Sequence, residues 1–251
     1  MSVRPRHPSP HAARRSSSGC PATSRIEQQS SGGVNDRWRS REDGDVDSRC
    51  ELVVGHNSRT LRTLRVIEEP FERAAEICAE RLDASGIEIH VIDAPDECIP
   101  EWGLGGSTYG PHSIVLAVDP DHDIDGEHVY STLVHEIHHA MRWRGPGCGS
   151  TLREHLVSEG LAQTFEAECT GVVQLYAEGE VSNEHLALAI EALDEDPADE
   201  ARWCFGVGDL PRWLGYRLGY HLVSERVAAL SSSAAALVGE PAETFIEPVA
   251  R

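Results

Sequence analysis

Lysine is missing from this chain: all 22 basic residues among its 251 are arginine, set against 42 acids for a net charge of −20. The charge is uneven. Residues 1–50 hold nine Arg and six acids, so the remainder carries 13 Arg against 36 acids, a net of −23. Such a surface repels nucleic acid and anionic membranes, and it favours basic peptides or simple solubility at high ionic strength. An acid-rich chain without lysine fits a salt-rich cytoplasm, and a GC-rich genome that writes Arg for Lys fits it equally. The seven cysteines are odd in number and no two form a C-x-x-C pair, which excludes a disulfide framework and a Cys-type zinc site. No apolar run approaches the roughly 20 residues of a membrane span. Arg14-Arg15 is followed by Ser16-Ser17-Ser18-Gly19 instead of an apolar stretch, so no signal peptide is expected and the cytoplasm is the default location. Residues 1–55, rich in Ser, Arg, Pro and Gly, read as a disordered tail or a mis-assigned start. Residues 56–251 read as one domain, long enough to bury a core.

What the chain does have is His135-Glu136-Ile137-His138-His139, an H-E-x-x-H motif inside a run without Gly or Pro until Gly145-Pro146. On a helix, positions i and i+4 share a face, so His135 and His139 can hold one metal ion. Glu136 lies beside that face, where a carboxylate can take a proton from a water at the metal. Zinc in a catalytic site takes three protein ligands and leaves one position open. The extended form of the motif fails, because Arg142 and Gly145 stand where Gly and His are required. The third ligand is expected at Glu159, in a second helical pattern reached through the turn-rich Gly145-Pro146-Gly147-Cys148-Gly149-Ser150. Gly160 and Ala162 beside it would let the two helices approach closely. Glu154 lacks such small neighbours. His138 reads as a packing residue or a support for the ligands, and Glu166 and Glu168 as solvated residues or supports.

The rest of the chain reads as α+β. A helix is expected from Val66 to Leu82, a strand over Ile87–Ile92 and a second strand over His112–Val118. Between the strands, Glu101–Gly110 reads as a glycine-rich loop with no phosphate-binding helix start behind it. Asp119–Gly126 has calcium-loop spacing but Thr132 where the bidentate Glu belongs, so it reads as a solvated turn with Asp125 near a helix N-cap. His128 is expected to face solvent. Further helices are expected over 184–193 and 210–223, joined by an acidic linker over 194–200. Gly215 and Gly219 suit tight helix packing, with Tyr216 and Tyr220 on the same side. Water attack on a carbonyl needs a donor for the developing oxyanion, and Tyr216, Tyr220 or His221 could supply it.

The segments His135–His139, Ser158-Glu159-Gly160-Leu161-Ala162 and Gly215-Tyr216-Arg217-Leu218-Gly219-Tyr220 resemble an uncharacterised family of predicted zinc-dependent proteases. That family is similar to the gluzincins, the thermolysin-like clan whose third zinc ligand is a glutamate. The resemblance spans about residues 60–230. It implies a zincin-like fold, a small mixed sheet with the motif helix followed by a mainly helical half. It also implies Zn2+ on His135, His139 and Glu159, and a peptide or protein substrate. The strand before the motif helix would lie at the sheet edge and pair with that substrate. Many gluzincins carry an Asp four residues past the ligand Glu; here that position is Gln163. The function expected is hydrolysis of peptide bonds by metal-activated water with Glu136 as general base. The alternative is a non-catalytic peptide-binding or regulatory module on the same fold.

Overall fold

The computed structural model describes residues 50–54 and 60–247. Four strands, β1 (Glu51–Val54), β2 (Glu88–Asp93), β3 (Leu104–Gly110) and β4 (Ser113–Val118), form one sheet in the order β1-β2-β4-β3. The first three in that order run parallel, and β3 returns antiparallel to β4. Residues 1–49, within the expected tail, lie outside the described residues. Residues 51–54 correct that expectation: they form β1 and pair with β2 from Glu51↔Glu88 to Val54↔Val91, so the folded part begins ahead of residue 56.

Two further expectations change at the other side of the sheet. The glycine-rich stretch is not a loop but, over Leu104–Gly110, strand β3. Glycine stands there because neighbours crowd the chain on both faces: a Cβ at Gly105 would fall 2.3 Å from the Glu97 carbonyl, and one at Gly106 2.5 Å from Glu136 Cγ. The strand directly before the motif helix, β4, is internal, and β3 is the edge.

Helix α1 (Thr60–Leu82) buries Ile67, Pro70, Ala74, Cys78 and Leu82, a stripe at helical spacing. It packs against α2 (Gly126–Trp143), which carries the motif and also packs on β3. Asp125 caps α2 by accepting the Glu127 N–H at 3.0 Å. Helix α3 (Leu152–Thr170) opens on a capping box in which Thr151 and Glu154 satisfy each other, the reason Glu154 is no ligand. Helices α4 (Asn183–Ala192), α5 (Glu200–Trp203) and α6 (Leu214–Ala229) follow. A second apolar cluster joins Leu152 and Leu156 of α3 to Trp203, Leu214 and Leu218. The acidic stretch 194–200 is more than a linker. Asp194 meets Arg153 at 3.0 Å, and Asp199 caps α5 by accepting the Arg202 N–H.

Arginine also ties down the C-terminal segment. Arg142 of α2 donates to the Val238 and Glu240 carbonyls at 3.0 Å, and Arg153 of α3 to those of Ile246 and Glu247 at 2.7 and 2.8 Å. Arg226 of α6 reaches the Thr244 carbonyl at 2.8 Å. A guanidinium presents several donors in one plane, so a lysine-free chain has side chains suited to holding non-repetitive backbone.

Gly160, expected to let α2 and α3 approach, acts instead between α3 and α6, where it meets Gly219, one of the two glycines expected at a tight helix crossing. A Cβ on Gly160 would lie 2.2 Å from the Gly219 carbonyl oxygen, and one on Gly219 2.6 Å from that of Leu156. Both obstacles are backbone, so the helices would have to separate. Gly160→Ala gains about 1 kcal/mol of helix propensity, yet it should lower unfolding stability by about 1–3 kcal/mol net through overpacking. Urea unfolding checks this, and an unchanged midpoint contradicts the close crossing.

Candidate metal centre

Helix α2 sets His135 and His139 one turn apart, with their Nε2 atoms 3.1 Å from each other. Both rings are buried. Across from them, α3 presents Glu159, with Oε2 3.4 Å from His135 Nε2 and Oε1 3.4 Å from His139 Nε2. One donor atom from each residue lies within 4.8 Å of the others, and this is the one group of its kind among the described residues.

The far nitrogens of both rings are engaged. His135 Nδ1 lies 3.2 Å from Glu166 Oε2. Glu166, 1% exposed, also accepts from the Ser131 hydroxyl and from Tyr176, whose hydroxyl is 2.7 and 2.8 Å from its oxygens. His139 Nδ1 lies 3.1 Å from Ser158 Oγ. With Nδ1–H donating to these partners, each ring turns an Nε2 lone pair to the shared point. Two imidazoles and one carboxylate are the donor types that zinc takes from a protein, so these residues fit that ion.

The electrostatics agree. Burial pushes the His135 imidazole down, but Glu159 and Glu166 outweigh it and lift its pKa to about 9. Burial likewise opposes protonation of His139, and the Glu159 charge with the neighbouring Cys148 raises it well above the usual value. Glu159, which burial alone would raise, is held well below the carboxylate range by the two histidines. His138, by contrast, is pushed well below the usual value by burial and by His139. It packs on Phe165 with ring centroids 5.4 Å apart and Nε2 3.5 Å from the Ala234 carbonyl, the packing role expected of it.

Glu136 is buried next to the cluster, and Thr108 of β3 donates to its Oε2 at 2.7 Å. Tyr216 is half-buried. Burial and then the charges of Glu159 and Glu136 push its phenol well above the usual value, so it stays protonated. Tyr220 packs at the edge of the main core. His221 is half-buried and faces Glu225 at 3.7 Å. His128 is half-buried and stacks on Trp102 with centroids 4.3 Å apart, instead of facing solvent. Gln163 is buried with neither amide atom hydrogen-bonded among the described residues, so it supports no ligand histidine. Glu168 accepts the Ala234 N–H at 2.9 Å.

From the sequence no role was expected for Tyr176, Ser131, Ser158 or Thr108. Ser131 sits one turn before His135 and Ser158 adjoins Glu159, so spacing could have found them. Tyr176 lies in an irregular segment where no periodicity marks it. A second row of reactive groups, Cys204 Sγ 3.2 Å from His155 Nε2 and His155 Nδ1 3.7 Å from Glu200, is not a nucleophilic site. Burial and the Glu159 charge push the Cys204 thiol well above its usual value, so it stays protonated.

A small sheet backing a helix that hands two histidines to a glutamate on the next helix defines a metal-site protein of the H-E-x-x-H class. The chain belongs to the family described as predicted Zn-dependent protease (DUF2268), whose model matches residues 65–247. Zinc is therefore its cofactor. No curated protein and no solved structure matches the chain.

Zinc requires neutral imidazoles, so binding must displace the protons that the carboxylates retain on the histidines. Uptake at pH 7 should release protons into a weak buffer, and apparent affinity should rise with pH toward about 9. Without metal the sign reverses. The raised His135 pKa adds stability that is whole below 6.5 and lost as pH rises through about 9. Chelator competition across this range checks the first trend, and an affinity flat in pH contradicts it.

Proposed function

We propose that the protein is a zinc metallopeptidase with His135, His139 and Glu159 as the metal ligands and Glu136 as general base. The observation that carries this reading is the placement of Glu136, buried, next to His135 in the motif, with its carboxylate against Gly106 of the sheet edge. Zinc bound by the three ligands would polarise a carbonyl and acidify a water in the open position. Glu136, oriented by the Thr108 hydroxyl at 2.7 Å, takes the proton from the attacking water and passes it to the leaving amine.

The edge strand is suited to holding an extended peptide. The Gly103 carbonyl accepts from Asp119 N on the β4 side at 2.8 Å, while the Leu104 carbonyl accepts from Ile99 N on the other at 2.9 Å. Alternation along the strand then turns the backbone groups of Gly106 and Thr108 to the free edge. Glu136 packs directly against that backbone, in the place a side chain at Gly106 would take. The role that resemblance gave to β4 therefore passes to β3.

Of the expected oxyanion donors, Tyr216 fits best. Its hydroxyl has no hydrogen-bond partner among the described residues and lies near Glu159 and Glu136, whereas His221 faces Glu225. Tyr220, at the core edge, is the weaker candidate. The net charge of −23 over residues 51–251 favours basic peptides as substrates and disfavours nucleic acid or anionic membranes. Among the described residues no helix is long and apolar enough to cross a membrane, and the free thiols suit a reducing cytoplasm. A peptide-binding module without turnover has no use for a general base oriented by its own hydrogen bond.

Glu136→Gln should keep zinc and lower peptide cleavage by about 10²- to 10⁴-fold. Mass spectrometry of a mixed peptide library with each protein measures it; unchanged cleavage by the variant removes Glu136 from its role. Gly106→Val should likewise keep zinc and lose cleavage, because its side chain would enter the space beside Glu136.

A further inference from the structure

We propose that Glu166 and Tyr176 are positioning residues for the ligand His135, taking the support role away from position 163. The inference rests on the metal site of the proposed function and concerns how that site is held. Gln163, four residues past Glu159, is where the resemblance places such support. Its amide is 2% exposed and without a hydrogen bond among the described residues. Glu166 is seven residues past Glu159. Seven residues return a helix to within roughly 20° of the starting face, so Glu159 and Glu166 leave α3 on the same side, two turns apart. One meets His135 at Nε2 and the other at Nδ1, at 3.4 and 3.2 Å.

Three donors converge on the Glu166 carboxylate. Ser131 comes from α2 one turn before His135, Tyr176 from the segment after α3, and the third is His135 itself. Ser131 and His135 belong to one helix, so this carboxylate fixes the ligand ring against its own helix as well as against α3. The Tyr176 ring is wedged among His135, Trp102 and Tyr216, with centroid distances of 6.0, 5.5 and 5.6 Å. Its hydroxyl is thereby aimed at Glu166 and is not a donor toward substrate. The arrangement holds the His135 ring with its Nε2 lone pair outward, and a carboxylate behind a ligand imidazole strengthens it as a donor. Behind His139, Nδ1 meets a neutral hydroxyl, that of Ser158, in the equivalent place.

Zinc affinity of the full chain, measured by competition with a chromogenic chelator, tests this without any substrate. Glu166→Gln preserves shape and removes the charge; it should bind zinc about 10- to 100-fold more weakly. Tyr176→Phe should weaken binding in the same direction by less, and Gln163→Met should bind as wild type. Cobalt in place of zinc gives a visible spectrum that reports ligand geometry. It should change in Glu166→Gln and not in Gln163→Met. Wild-type affinity and spectrum in Glu166→Gln, or an equal loss in Gln163→Met, overturn the assignment. Urea unfolding of the metal-free proteins checks folding. If Glu166→Gln does not fold, Tyr176→Phe and Ser131→Ala decide: weaker zinc in both supports the assignment, and wild-type affinity in both overturns it. A wild-type chain that takes up no zinc overturns the metal reading itself and this inference with it; wild-type binding matched by the variants overturns the inference alone.

Discussion

Two imidazole nitrogens 3.1 Å apart, faced by a carboxylate at 3.4 Å from each, cannot rest in a protein interior without positive charge between or upon them. That local demand organises the molecule. It requires α2 and α3 to lie side by side with buried polar faces turned inward, and each polar group there to find a partner. Ser131, Glu166 and Tyr176 behind His135, and Ser158 behind His139, meet the requirement. The surrounding apolar core then fixes the helices. Leu133, Val134 and Ile137 of α2 and Val157, Leu161 and Phe165 of α3 are fully buried around the polar centre. Further out, Gly160 against Gly219 brings α6 close enough for Tyr216 to sense the charges of Glu159 and Glu136.

The parts legible in the sequence were those in which chemistry and periodicity coincide. The motif brought His135 and His139 together because i and i+4 share a helix face, and Glu159 was reached by its distance from the motif, although the small neighbours that suggested it pack on α6 instead. Asp125 as a cap and the helices α3 and α4 were likewise readable from their polar starts, whereas α5 was not expected and α6, expected over 210–223, runs Leu214–Ala229 from an uncapped Trp213. Failures fell where tertiary crowding, not local preference, decides the conformation. Strand β3 has three glycines in seven residues, which lower its strand propensity despite Thr108 and Tyr109, yet the Glu97 carbonyl at Gly105 and Glu136 at Gly106 admit nothing larger. Strand β1 is only four residues long, and it exists because β2 offers it an edge. Tyr176 reaches the centre from an irregular segment, so no pattern could announce it.

The acidic composition and the metal site are separate matters. Most of the carboxylates lie outside the centre, and several are tied to arginine, as Glu127 is to Arg73 and Asp209 to Arg202. Exposed pairs of this kind contribute little to stability. The three carboxylates at the centre stand differently: Glu159 faces the two histidines, Glu166 meets His135 at its far nitrogen, and Glu136 lies against the sheet edge. This division of labour among one residue type depends on where each leaves its helix. Glu159 and Glu166 share a face of α3, and Glu136 follows His135 directly on α2.

The most direct test of the central claim is the metal content of the purified protein by elemental analysis, beside Glu159→Ala. The account predicts about one zinc per wild-type chain, lost or far weaker in the variant. Wild-type protein that holds no zinc and takes up none when it is added, or a variant that retains zinc at full strength, would contradict it.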